Sequence, residues 1–418
     1  LFFNQSKNQE FGVIVVDAVV KSNLKPTANL RSSSIKFTLL ICLGIVIRLA
    51  LAVGTYGTND MLSWENFASE IKNSGISDLY RSDPLFNHPP LMGFLSFFLL
   101  SISELFGIPF FVVFKLVMVA AECGIMALLF RLWSKKSGVT AAWEVAALYS
   151  LNFITILLSG YHGNTDTLYC LAALAALIFV IENKPLYSGL ALAAALNVKL
   201  IPLILAIPFI LSLRSWRAIK LWLSGWMLGL LPFLVAAFMI GEPFIKNVLS
   251  YVPVPDNWGI IFILRCFIYM APDLRSLFES AIGWYMSYGR WVILGLITAV
   301  SIWSRYSGRF STPQLLSISA AIFIVFASGF GLQYLAFPAV MVFTIDPQWG
   351  LRISAATGVS AAITYANWMA SLSPPLSMHY NIAPIGIALI YLIAWGFIVV
   401  FLIRTLTAPQ QNTEVTES

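Results

Sequence analysis

Charge is what this sequence has least of. Only 11% of its 418 residues are Asp, Glu, Lys or Arg, where a soluble globular domain carries about 25%. With 59% hydrophobic residues and a mean hydropathy of +0.83, no soluble fold of this length could bury its apolar surface, so lipid must be the solvent for most of the chain. Cysteine is scarce as well. Cys42, Cys123, Cys170 and Cys266 lie mostly in apolar stretches without metal-ligand spacing, which argues for small buried hydrophobes and against a zinc site or a disulfide framework. No basic cluster is interleaved with aromatics on a soluble segment, so no nucleic-acid partner is expected. A small-residue cleavage site is missing after the first long apolar run, near Phe37, and that run reads as a retained span rather than a signal peptide. The chain starts at Leu1 rather than Met, as expected of a sequence whose first residues are absent.

What the sequence has in abundance is apolar segments of helical length. Spans are expected at 37–53, 109–132, 140–158, 167–182, 187–198, 200–213, 219–240, 291–304, 313–328, 330–345, 352–370 and 383–404. The expected fold is therefore an all-α polytopic transmembrane helix bundle of about 12 spans, with re-entrant or surface helices on its outer face. The net charge of +6 supports the orientation. Lys21, Lys25, Arg31 and Lys36 precede the first span, and Arg131, Lys135, Lys136, Arg214, Arg217, Lys220, Arg305, Arg309, Arg352 and Arg404 then fall on the same, cytoplasmic side. The chain divides into a cytoplasmic N-terminal segment (1–36), a transmembrane domain (37–404) with outer loops at 54–108 and 241–290, and a polar cytoplasmic tail (405–418).

Three stretches depart from simple crossings. Residues 89–106 open on Pro89-Pro90; if they crossed, Arg131, Lys135 and Lys136 would lie outside, so they are read as part of the outer face. Residues 61–71 carry apolar side chains at helical spacing and predict a helix lying at the membrane surface. The spans 187–198 and 200–213 are short against the ~20 residues a bilayer asks for, and Asn197-Val198-Lys199 with Pro202 between them predicts a broken helix pair. The long outer segment 241–290, centred on 252–259, is expected to be irregular.

This topology sorts the unusual polar residues to one face: Asp60, Asn87-His88, His162 to Asp166, Lys199, Asp256-Asn257-Trp258, Gln333-Tyr334 and His379-Tyr380. All three histidines of the chain belong to the set. Asp60 reads either as a solvated loop acid or as a general base at the mouth of an apolar bundle. Asp166 opens a span, where a carboxylate caps free N–H groups, and His162 and Gly163 just before it favour a site. Lys199 sits in an apolar run, where a cation costs ~2.5–3.5 kcal/mol on insertion scales. It either snorkels to the interface or faces a cavity and contacts a phosphate. Arg265 and Arg290 are further cation candidates. Gln333 and Tyr334 could bond a sugar or phosphate, or anchor the helix at the interface.

In their order along the chain, these segments resemble the GT-C superfamily of polyprenyl-phosphate-sugar-dependent glycosyltransferases. The resemblance rests on Asp60 soon after the first span, Trp64 and a surface helix, and Tyr80 with His88-Pro89-Pro90-Leu91. It continues in His162-Gly163-Asn164-Thr165-Asp166, Ala195 to Lys199 with Pro202 and Pro208, and Gly329-Phe330-Gly331 with Gln333-Tyr334. It covers about residues 37–345 and is closest to mannosyltransferase-like members. The resemblance implies an integral membrane enzyme of the cell envelope, in the plasma (inner) membrane of a prokaryote, with its active site on the non-cytoplasmic face. Its donor is a hexose such as mannose on a polyprenyl phosphate, transferred with inversion to a glycan, lipid or protein acceptor. It further implies Asp60 as catalytic base with Asp166 beside it, and Lys199, Arg265, Gln333 and Tyr334 on the donor phosphate. His88, His162, Asn164 and Trp258 would contact substrate. Metal-dependent members hold the ion with an Asp-x-Asp pair or extra acids; Asn59-Asp60 is not such a pair, which speaks against a divalent metal, and no cofactor is assigned. The rival expectation is a secondary transporter, or a flippase for lipid-linked precursors, which would share broken helices and an intramembrane cation but would not need Asp60.

Overall fold

A computed structural model describes residues 28–249, 258–368 and 384–409. Among the described residues there is no strand. Apolar runs without period-two alternation satisfy their backbone within each segment, the solution lipid demands. The first helix, α1 (Ala28–Gly54), ends beside a surface hairpin made of α2 (Asn59–Ser74), α3 (Ile76–Ser82) and α4 (Pro90–Phe106). Then come α5 (Phe110–Ser137), α6 (Val139–Ser150) and α7 (Phe153–Ile156), the last running into a π-helical turn over Leu157–His162. α8 (Asp166–Ile181) and α9 (Pro185–Val198) follow, and after a 3-10 turn at Ile201–Leu205, α10 (Ala206–Ser212), α11 (Trp216–Gly229), α12 (Leu231–Ile240) and α13 (Glu242–Leu249). The remainder is α14 (Gly259–Met270), α15 (Arg275–Ser307), α16 (Thr312–Val325), a 3-10 turn at Leu332–Leu335, α17 (Ala336–Phe343), α18 (Pro347–Trp368) and α19 (Pro384–Thr407).

Among the described residues, four helical stretches are long and apolar enough to cross a membrane: Ser34–Gly54, Phe110–Ser137, Pro272–Ser307 and Leu389–Thr407; the number is six if each bent pair is one span. The expected span 140–158 is one of those pairs, bent by 55° where Asn152 caps α7, and 219–240 is the other, bent by 44° before Pro232 at the start of α12. The segment 241–290, expected to be irregular, is largely helical in its described parts. α15 begins at Arg275, well before the span expected at 291, because no proline interrupts the helix from there to Ser307. α4 begins beside His88 and ends near Glu104, which pairs with Lys72 of α2 at 2.7 Å, so α2 and α4 pack together.

Inside the bundle a buried ion pair ties α1 to α5. Arg48 is 0% exposed; its guanidinium donates to Glu122 Oε2 at 3.4 Å, to Thr155 Oγ1 at 2.8 Å and to the Ser150 carbonyl. Removing one partner strands a charge at bundle depth, which costs about 3–5 kcal/mol, while replacing both by apolar residues of like volume is nearly neutral. Glu122→Gln should therefore lower the thermal unfolding midpoint in detergent strongly, and Arg48→Met/Glu122→Leu should recover most of the loss. A double variant no better than the single one would show that the pair is not a self-contained unit.

Candidate active site

The site forms where three chain breaks meet at one end of the bundle. The first break follows α1. Gly57, at φ +106°, turns the chain so closely against the π-helical turn that a Cβ there would lie 2.7 Å from the Tyr161 carbonyl. Thr58 then caps α2 and sets Asp60 in its first turn. The second break is the π-helical turn itself, whose wider coil presents His162 before Gly163 closes it at φ +73°. The third is the end of α9, where Lys199 adopts an extended conformation. Asn197 fixes that break by donating to the Ala193 and Gly229 carbonyls, both at 2.9 Å. The break expected at Asn197-Val198-Lys199 is thus present, and it puts the lysine at the site rather than in lipid.

These breaks surround a cavity of about 300 Å³ lined by Asp60, Trp64, Asn87, His88, Asn164, Lys199, Gln333 and Tyr334, among others. Asp60 Oδ2 accepts from His162 Nε2 at 2.9 Å and from Asn164 Nδ2 at 2.7 Å. Its other oxygen has no hydrogen-bond partner among the described residues, and 42% of the side chain is exposed. Burial pushes the Asp60 carboxyl up, but the His162 charge and hydrogen bond, the Asn164 amide and the Lys199 ammonium together outweigh it and hold the group well below the usual carboxylate range. The carboxylate is therefore ionised in the free site. A carboxylate only accepts, so His162 donates to it from Nε2, and the His162 Nδ1 lies 2.6 Å from the Tyr365 hydroxyl.

Lys199 Nζ lies 2.6 Å from Asp166 Oδ1 and 5.0 Å above the Tyr334 ring. Asp166 is 1% exposed and also accepts from the Tyr169 hydroxyl at 3.3 Å, so it touches Lys199 and not the cavity. His88 has its ring 4.7 Å from that of Trp64, and its Nδ1 faces the Val198 carbonyl at 3.4 Å. Burial, followed by the Lys199 charge, pushes the His88 imidazole down to about 3, so it is neutral. With Nδ1 donating to Val198, its Nε2 is a hydrogen-bond acceptor. Tyr80 braces this loop by donating to the His88 carbonyl at 2.5 Å, and Asn247 of α13 donates to the carbonyls of Tyr80 and Asp83.

The structure thus brings together Asp60, His88, His162, Asn164, Asp166, Lys199, Gln333 and Tyr334 of the expected set. Trp258 and Arg265 are not among the cavity residues. Trp258 is buried, stacked on Phe330 at 4.0 Å, and donates to the Ile324 carbonyl. Asp256, Asn257, His379 and Tyr380 lie outside the described residues. Two participants escaped the sequence reading. Tyr365 lies far along the chain from His162 and looks like one more interfacial tyrosine. Lys115, buried near the start of α5, donates to the Thr55 carbonyl at 2.5 Å and faces the Tyr161 carbonyl at 3.5 Å, pinning two of the breaks to each other. Its signal was in plain view, a lysine within an apolar run, the same signal that singled out Lys199. Among the described residues, no group of three His, Cys, Asp or Glu side chains is placed to hold a metal ion.

Residues 86–329, more than half of the chain, match glycosyltransferase family 87. The chain belongs to this family. It is accordingly a membrane glycosyltransferase, which decides between the enzyme and the transporter or flippase expected as its rival. The match takes in His88, His162, Asn164, Asp166 and Lys199; Asp60 lies ahead of it and Gln333, Tyr334 and Tyr365 beyond it. No curated protein matches the chain.

Proposed function

We propose that this glycosyltransferase moves a hexose, mannose being the first candidate, from a polyprenyl phosphate to an acceptor at the non-cytoplasmic face of the membrane, with inversion and with Asp60 as general base. The observation that carries the reading is the pairing, across one small cavity, of an ionised carboxylate oxygen with a lysine at a broken helix end. An acceptor hydroxyl against Asp60 and a phosphate against Lys199 would stand on opposite sides of a sugar ring between them. As the new bond to the anomeric carbon forms, the acceptor oxygen becomes a strongly acidic oxonium, so even a weakly basic carboxylate can take its proton late in the transition state. The electron pair of the breaking bond goes to the carrier phosphate, where Lys199 stabilises the developing charge. Asp166 holds Lys199 in place, and His162, oriented by Tyr365, holds Asp60. His88, Asn164 and Gln333 supply hydrogen bonds to the sugar. Trp258 and Arg265 carry no step in this reading.

The same reading takes about twelve crossings, since the shorter helices α8, α9, α16 and the broken pairs each link the Asp60 end of the bundle to its basic end, which the positive-inside rule assigns to the cytoplasm. The test is donor use by the protein reconstituted in liposomes. Release of polyprenyl phosphate from a short-chain polyprenyl-phosphate hexose, with inverted anomeric configuration in the product, is expected; consumption of a nucleotide hexose with the lipid donor left intact would end the proposal. Tyr365→Phe gives a finer check. It removes the hydroxyl that fixes the His162 ring, and should lower kcat by roughly tenfold with KM for the donor little changed, because the ring acts on the base and not on the phosphate.

A further inference from the structure

A second cavity, larger than the first at about 780 Å³, opens at the opposite end of the bundle. α5 carries both: Lys115 lies at the Asp60 end and Lys135 twenty residues on, about 30 Å away at 1.5 Å per residue. Arg131, Lys135, Lys136, Arg214 and Arg309 line this cavity against a single carboxylate, Glu182. Arg131 and Lys135 both grip that carboxylate, at 2.5–2.7 Å, so its charge is already spoken for. The remaining lining cations form no ion pair among the described residues, and the one further carboxylate acting on Lys136, Asp346, is paired with Arg404. Lys136 packs over the Trp133 ring at 4.1 Å and Arg214 makes no ion pair among the described residues. Arg309 donates to the Leu406 and Ala408 carbonyls and keeps a buried Nε without a partner. Ile178, Ile181 and Ile345 give the cavity an apolar wall.

Topogenic bias alone calls for lysine and arginine in loops, not for cations converging on a shared concavity with an apolar side. Arg217 and Lys220, on the same end but outside the cavity, are what that bias looks like by itself. We propose that this cavity binds a phosphate-bearing anion, its phosphate among Lys136, Arg214 and Arg309, and that the amphiphilic lining suits the head group of an anionic membrane phospholipid. Basic pockets between transmembrane helices at this depth take such head groups, and arginine forks match phosphate oxygens in pairs. The inference is independent of the donor chemistry assigned to the other end.

Thermal unfolding of the full chain in detergent reads the binding. Phosphatidylglycerol in mixed micelles should raise the midpoint by several degrees, phosphatidylcholine should not, and added salt should erode the shift. Lys136→Gln/Arg214→Gln should raise the lipid concentration for half the shift about tenfold or more, whereas Arg217→Gln/Lys220→Gln should leave it unchanged. Should the double variant fail to fold, Arg214→Glu, at an exposed position, carries the same comparison. A midpoint raised by pyrophosphate and not by phosphatidylglycerol keeps the phosphate site and assigns it to a soluble anion. No shift with either probe, or an equal loss in both double variants, overturns the proposal.

Discussion

Asp60→Asn should lower glycosyl transfer by about 10²–10⁴, the span a positioned general base contributes, while leaving the protein folded. The amide occupies the same volume and its oxygen can still accept from His162 or Asn164, so the capped first turn of α2 and the cavity wall stay in place. What it cannot do is take a proton. The loss should fall on kcat with donor KM nearly constant, because the carboxylate acts on the acceptor in the transition state and not on the bound donor. Purified variant and parent, assayed for polyprenyl phosphate release at matched thermal stability, decide it; undiminished donor consumption in the variant would remove Asp60 from the chemistry. The pH profile gives an independent reading. A carboxyl with a depressed pKa in the folded protein is ionised above the unfolded value of about 3.9, and whatever stability its contacts contribute is lost only as pH falls through the lower, folded value. The acid limb of kcat/KM set by Asp60 should therefore lie below about pH 4.

Which parts of this were legible in the sequence follows from range. The helical class, the position of the basic end and the break at Lys199 are written in local composition: apolar runs, clusters of arginine and lysine, and a polar residue before a proline in a short span. Asp60 and the His162–Asp166 stretch were legible because each sits at a helix start, where polar residues are conspicuous against an apolar background. Their mutual contacts were not. The hydrogen bond from His162 to Asp60 joins residues 102 apart in the chain, and that between Tyr365 and His162 joins residues 203 apart. No period along one chain encodes such pairs. Trp258, which the resemblance assigned to substrate contact, is not among the cavity residues: its ring stacks on Phe330 and its N–H donates to a backbone carbonyl. Helix bends were hidden for a simpler reason: hydropathy runs continuously through Asn152 and Gly229, and only capping and a following proline turn the chain there.

The largest effect on donor handling is expected at Lys199, and it can be separated from folding because its partner is known. Lys199 is 15% exposed and Asp166 1%. Lys199→Gln leaves a buried carboxylate without its cation, which should destabilise by about 3–5 kcal/mol and also remove the charge facing the leaving phosphate, worth roughly 10²–10³ in kcat/KM. A single variant would confound the two. Asp166→Asn removes the carboxylate and leaves a cation that reaches the cavity, so it too loses stability, yet the ammonium now has no competing anion. Donor KM should fall or hold while kcat drops, since a phosphate bound more tightly in the ground state leaves less to gain in the transition state. Lys199→Gln/Asp166→Asn restores neutrality, and its unfolding midpoint should return most of the way toward the parent, with transfer still depressed to the Lys199→Gln level. Midpoints and kcat/KM for the four proteins form one cycle. If transfer recovers along with the midpoint, the ion pair serves only the fold, and the phosphate must be held by another group; if stability recovers alone, the lysine at the broken helix is the donor's counter-charge and Asp166 is what aims it.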